Sequence, residues 1–171
     1  YNYTDMSKYK TIIGRAELLD FPAKLISDVP AKTDTGAYMS SIHATHIREV
    51  KKKNGKTVLK FNLLGGHPAY PYSREIEVQK FSTTMVENSF GERQQRYKVE
   101  FKVHMAGKVF RTSFTLADRS TKTFPILIGR TLLNKRFIVD TTVVHVDRKH
   151  LKKQMKEWLD KDDGTEDEEA Q

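Results

Sequence analysis

The 171-residue chain contains no cysteine. A disulfide framework, a thiol nucleophile and thiolate metal sites are therefore excluded, and the redox compartment is left open. No stretch approaches the roughly 18 apolar residues of a membrane-spanning helix. The zincin pattern His-Glu-x-x-His is absent, and so is the phosphate loop Gly-x-x-x-x-Gly-Lys-Ser/Thr. The six histidines are His43, His46, His67, His104, His145 and His150. His43 and His46 have the spacing of a helical ligand pair, but their surroundings read as strand, which sends i and i+3 to opposite faces. Zinc and ATP are accordingly not expected as cofactors. No secretory signal is visible, yet the chain starts at Tyr1 rather than Met. The start reads as processed or trimmed, so periplasmic and cytoplasmic locations both stay open.

What is present fits one globular domain with a tail. Hydrophobic residues make up 37% and charged residues 30%, enough apolar content for a core at this length. The net charge is +8. Residues 160–171 carry seven acids and Lys161, a charge of −6, which leaves +14 for residues 1–159. A domain this basic expects a polyanionic partner: nucleic acid, an anionic membrane or an acidic polypeptide. Tyr70, Tyr72 and Phe81 are too scattered for a base-stacking platform, so nucleic acid is not expected. The acidic tail is a candidate internal mimic of an acidic substrate, folded back on a basic groove.

Short runs rich in Val, Ile, Phe, Thr and Tyr recur between turn signals, the pattern of an all-β domain. The expected strands are Thr11–Gly14, Ala23–Ile26, Ala31–Thr33, Ser40–Ala44, Thr57–Leu63, Glu75–Phe81, Tyr97–Met105, Val109–Leu116, Phe124–Ile128 and Phe137–Val146. Asn54-Gly55 and Ala106-Gly107 mark hairpin turns. Leu151, Met155, Trp158 and Leu159 form one helical stripe behind an Asp147 N-cap. The expected organisation is a polar arm at 1–10, a β domain at 11–146, an amphipathic helix at 147–159 and a disordered acidic tail at 160–171.

Two motifs carry chemistry. Ala31-Lys32-Thr33-Asp34-Thr35-Gly36-Ala37 is a strand ending in a tight turn that projects a carboxylate. Much later, Phe124-Pro125-Ile126-Leu127-Ile128-Gly129-Arg130 is a buried strand, a glycine and a short helical turn. Together they resemble the retropepsin-like aspartic peptidases. The order Gly14-Arg15-Ala16-Glu17, Asp34-Thr35-Gly36-Ala37, Ser41-Ile42-His43-Ala44, Ser89-Phe90-Gly91 with Arg96-Tyr97, and Leu116-Ala117-Asp118-Arg119-Ser120 is similar to one bacterial group. That group was long labelled ATP-dependent zinc proteases and is now understood as retropepsin-like. It is related to the protein encoded beside an ATP-grasp ligase that adds glutamate to a ribosomal protein.

The resemblance implies a closed acid-protease barrel with a short helix after Gly129 and a C-terminal helix. It implies catalysis by Asp34, with Thr35 and Gly36 setting the loop, and Ala37, Lys32, Ile128, Gly129 and Arg96 around the substrate. Arg130, Arg119, Asp118 and His43 fall near the site as structural residues, Arg119 and Arg130 through pairing with Glu17, Glu92, Asp118 or Asp140. Aspartic peptidases hold two carboxylates about 3 Å apart that share one proton. This chain has one Asp-Thr-Gly, so a full dyad requires a homodimer with Asp34 from each copy. Viral retropepsins place acidic residues after the alanine, whereas Tyr38 and Met39 stand here, and residues 62–95 are longer where a flap is expected. The rival expectations are an inactive peptide-binding module on the same fold and a nucleic-acid-binding β domain.

Overall fold

The computed structural model describes residues 10–166, with side chains through Asp162. Most of the expected N-terminal arm and the last five residues of the acidic tail lie outside that range. Eleven strands form: β1 (Thr11–Ile13), β2 (Ala16–Phe21), β3 (Ile26–Thr33), β4 (Ser40–Lys51), β5 (Thr57–Leu63), β6 (Arg74–Val78), β7 (Ser82–Glu87), β8 (Arg93–Met105), β9 (Lys108–Ala117), β10 (Ile126–Ile128) and β11 (Phe137–Val139). The helices are the one-turn α1 (Arg130–Leu133) and the long α2 (Arg148–Glu166). The chain is mostly β.

The strand alternation in β8 does what period two requires. Val99, Phe101, Val103 and Met105 are buried, while Glu100 and Lys102 face solvent. β8 returns antiparallel as β9 through Ala106-Gly107. Both turn residues have positive φ, 48° and 78°, the geometry that matches a hairpin's right-handed twist. Ala23–Ile26 is not a strand. Pro22 pre-sets φ for a 3-10 turn over Pro22–Lys24, and Leu25 closes it in the left-handed region.

Strand pairing runs β10–β3–β2–β8–β9–β4, and β4 also pairs with β10, so these six strands make a ring of pairings. β4 serves two neighbourhoods. Its first residues lie between β9 and β10, and from Ala44 onward it pairs with β5, with a register shift between Thr45 and Arg48. His46, at φ 51°, sits in that shift. Inside the ring, Phe21, Phe61, Phe101 and Phe114 meet at centroid distances of 5.6–6.4 Å, the separations that aromatic pairs prefer. β1 and β11 form a separate parallel pair.

The expected Phe137–Val146 strand ends at Val139. Asp140 takes over the backbone there: its Oδ1 accepts from Thr142 N–H and Thr142 O–H, making a turn. α2 begins just after Asp147, whose Oδ1 accepts from Lys149 N–H at 2.8 Å. The helix continues to Glu166, past the Leu159 boundary and into the segment expected to be disordered. Of its apolar stripe, Leu151 is buried and Met155 is partly covered, while Trp158 is 39% exposed.

Phe114→Ala should cost about 3–5 kcal/mol, because it empties the ring's centre. Trp158→Ala should cost under about 1 kcal/mol at its half-open position. Urea unfolding followed by circular dichroism tests the pair; equal losses would contradict this division of the core.

Candidate functional site

The Asp34 loop is fixed by β10, which lies parallel to β3 on one side and antiparallel to β4 on the other. Asp34 N–H donates to Ile128 C=O at 2.9 Å, Arg130 N–H to Ala37 C=O at 2.9 Å, and Thr131 N–H to Tyr38 C=O at 2.9 Å. Gly129 N–H donates to Ser40 Oγ at 3.0 Å. A Cβ on Gly129 would lie 2.5 Å from the Met39 carbonyl carbon and 2.6 Å from its oxygen. Glycine is therefore demanded here by close backbone approach, since its φ of −98° suits any residue.

Within the loop, Gly36 N–H donates to Asp34 Oδ1 at 2.9 Å, and Ala37 N–H to Asp34 C=O at 3.2 Å. A Cβ on Gly36 would stand 3.2 Å from that carboxylate oxygen. Among the described residues no other protein group donates to the carboxylate. Asp34 is half-exposed, and Thr35, Gly36 and Tyr38 are open to solvent. The loop thus presents a carboxylate on an accessible face, with its backbone bonds directed inward.

Arg119 lies within electrostatic reach of both Asp34 and Arg96. Arg119 is largely withdrawn from water, which pushes its pKa down to about 10; nearby Arg96 adds to the fall and the Asp34 carboxylate opposes it. Arg96 is lowered as well, by burial. Arg119 Nε donates to Phe124 C=O at 3.0 Å, and Arg96 Nε to Gln94 Oε1 at 3.2 Å. Arg130 Nη1 donates to Thr35 C=O at 3.1 Å, and its guanidinium lies 5.7 Å from the centre of the Tyr38 ring. The expected carboxylate partners do not pair with Arg119 or Arg130. Glu17 accepts from Gly14 N–H and His145, Glu92 from Asn88, Asp118 from Ser120 N–H, and Asp140 from Thr142. Both arginines hold the fold through backbone carbonyls instead.

The residue that positions Arg119 most firmly was not visible in the sequence. Arg119 N–H donates to His43 Nδ1 at 2.8 Å, and Arg119 C=O lies 2.8 Å from His67 Nε2. His67 Nδ1 accepts from Ala69 N–H, so its Nε2 carries the proton given to Arg119. The two imidazoles meet edge to face at 5.1 Å. Each is 1% exposed or less. Burial lowers both pKa values, that of His67 to about 4, although Asp118 nearby favours the His43 cation. His67 left only a turn signal, Gly65-Gly66-His67-Pro68, and its partner is 52 residues away.

The other expected site residues divide. Ile128 is fully buried and supports the loop from beneath. Arg96, near the base of the β7–β8 hairpin, lies within electrostatic reach of Arg119. Lys32 instead lines a separate cavity with Arg15 and the start of α2. His43 and His46 do not converge: one is packed inside β4 and the other is exposed at the register shift. Among the described residues no three His, Asp or Glu side chains gather as a metal-ligand set.

The longer 62–95 stretch contains β6 and β7. β7 and the start of β8 pair as a projecting hairpin, Glu87 opposite Arg93. Asn88 Oδ1 knits its tip by accepting from Phe90 N–H and Glu92 N–H. Phe90 at the tip is 89% exposed.

A RimB-like family model, described as the retropepsin-like aspartic endopeptidase RimB, matches residues 12–150. The chain belongs to this family. A probable alpha-L-glutamate ligase of Shewanella pealeana is 32% identical over 139 residues, covering 79% of this chain and 29% of that protein. Its namesake in Desulfotalea psychrophila is 29% identical over 134 residues, covering 77% and 28%. The chain thus spans less than a third of the length of these curated relatives. A solved Legionella pneumophila protein of unknown function superposes with a TM-score of 0.62 at 24% identity, covering 78% of this chain and 95% of that one. That likeness concerns the fold.

Two outcomes follow from this geometry. Gly129→Ala should lose about 2 kcal/mol or more and disorder the Asp34 loop, because backbone must move; amide exchange at Asp34 and Ala37 checks it, and native protection there would refute it. The histidine clamp has a defined pH sign. A histidine held below its ordinary pKa of 6.5 contributes stability fully present above that value and lost as pH falls toward about 4. Urea midpoints should therefore drop between pH 7.5 and 5. His67→Gln should start lower and show a shallower drop; parallel profiles would remove the assignment.

Proposed function

We propose that this domain is an aspartic endopeptidase acting on acidic, glutamate-rich peptides, with Asp34 from two copies forming the water-activating pair in a closed acid-protease barrel. The observation that carries it is Asp34 itself, a half-exposed carboxylate on a Gly129-braced loop that Arg119 faces electrostatically and Arg130 braces at Thr35. In such a pair one carboxylate takes the proton from water as the other protonates the carbonyl oxygen. The apparent pKa values then belong to the pair. The exposed Thr35-Gly36 edge is where a second copy of the loop would approach.

Arg96 and Arg119 support the choice of substrate. Arg96 raises the cost of charging Arg119, burial does the same for Arg96, and neither forms a carboxylate salt bridge among the described residues. A glutamate side chain seated between them would relieve that repulsion, and guanidinium forks match carboxylates geometrically. The relatives named for glutamate ligation are consistent with a peptide of this composition. The reaction as proposed uses neither zinc nor ATP.

A second reading, a peptide-binding module without turnover, is favoured by the single Asp-Thr-Gly and by Tyr38-Met39 in place of acids. An edge strand such as β7 could then hold an extended peptide by strand addition. Asp34→Asn separates the two. The variant should fold normally, bind a glutamate-rich peptide and lose cleavage by at least 1000-fold, an effect on the order of 4 kcal/mol. Cleavage surviving in Asp34→Asn would end the peptidase reading. Sedimentation equilibrium should show self-association that strengthens with peptide, and a strict monomer would favour the binding module.

A further inference from the structure

A second cationic feature lies one step along the strand from Asp34. A cavity of about 850 Å³ is walled by Arg15 before β2, Lys32 on β3, and Arg148 and Lys149 at the start of α2. All four are exposed, and none pairs with a carboxylate among the described residues. The acids nearby are engaged. Glu17 is buried and accepts from Gly14 N–H at 2.8 Å and from His145 at 2.6 Å, and Asp147 accepts from Lys149 N–H. Four cations from three separate segments therefore converge on a concavity without a matching set of anions. Lys32 precedes Asp34 by two residues, which is about 7 Å along an extended strand.

We infer that this cavity is a second anion-binding subsite that takes acidic side chains of a peptide already engaged at Asp34. The inference rests on the acidic-substrate reading above. A peptide is favoured over nucleic acid by the walls. Phe124 in the cavity wall is only 5% exposed, and the one exposed ring there, His145, is tied to Glu17 at 2.6 Å, so the walls offer no run of rings for base stacking. Along α2 the described acids Asp160 and Asp162 lie about 18 to 21 Å of helix rise beyond Arg148, away from this cavity.

The test uses the full chain and a fluorescein-labelled octaglutamate, followed by anisotropy at 50 mM salt. Arg148→Ser with Lys149→Ser should weaken binding at least tenfold. Lys152→Ser with Lys153→Ser removes the same charge from the same helix outside the cavity and should weaken it less than threefold. Both pairs are exposed, and matching melting temperatures confirm that they fold. Equal losses in the two double variants would overturn the subsite in favour of general charge attraction. Absence of octaglutamate binding to the unmodified chain would overturn it too. So would a twelve-residue oligouridine that binds more tightly than octaglutamate and is lost with Arg148 and Lys149. Cleavage is measured separately. If no variant cleaves while the Arg148/Lys149 pair alone loses binding, the subsite stands and the peptidase reading falls. If cleavage depends on Asp34 and the two double variants bind alike, the reverse holds.

Discussion

The structure depends on one close approach, that of Gly129 to the Met39–Ser40 backbone. With no side chain at 129, β10 can lie between β3 and β4 and bond to both. That contact closes the ring of strand pairings, fixes the Asp34 loop through backbone bonds on either side of it, and starts the short helix that carries Arg130 under Thr35. Any side chain at this point would press on backbone, which has no rotamer by which to yield. Core packing, loop geometry and the placing of a carboxylate are therefore one problem with one solution.

Charge organises what surrounds that loop. Arginines that the sequence suggested would pair with carboxylates bond to backbone carbonyls instead, so their positive charge is retained and aimed. Arg119 is the clearest case. Its backbone is gripped on both sides by buried histidines, and its guanidinium bonds to the Phe124 carbonyl rather than to a structural acid. A half-buried cation held without a salt bridge costs stability unless something nearby answers its charge, and the Asp34 carboxylate does so in part.

Much of this was legible beforehand, for identifiable reasons. Alternation in Val99–Met105 and the Ala106-Gly107 turn gave the β8–β9 hairpin because both signals are local. Asp34-Thr35-Gly36 and Ile126–Gly129 were legible as motifs, though their mutual bracing is a tertiary fact. β7 escaped notice because Ser82–Glu87 is largely solvent-facing and lacks a hydrophobic stripe. β2 did so because it buries Glu17 and exposes Leu18, the reverse of a simple amphipathic strand. The histidine clamp was hidden because residues 43, 67 and 119 meet only after folding. The full length of α2 was obscured by its acidic end, since dense like charge argues against folding when read in isolation.

β8 is a single strand of 13 residues with two mechanical lives. Its C-terminal portion is embedded between β2 and β9, while its first residues are paired only with the projecting β7. Lys98 is the fulcrum, bonded in register to Ser82 on one side and Thr115 on the other. Arg96 sits two residues out along the free arm. A tilt of the hairpin about Lys98 would therefore move the Arg96 guanidinium relative to Arg119, whose charge it already opposes.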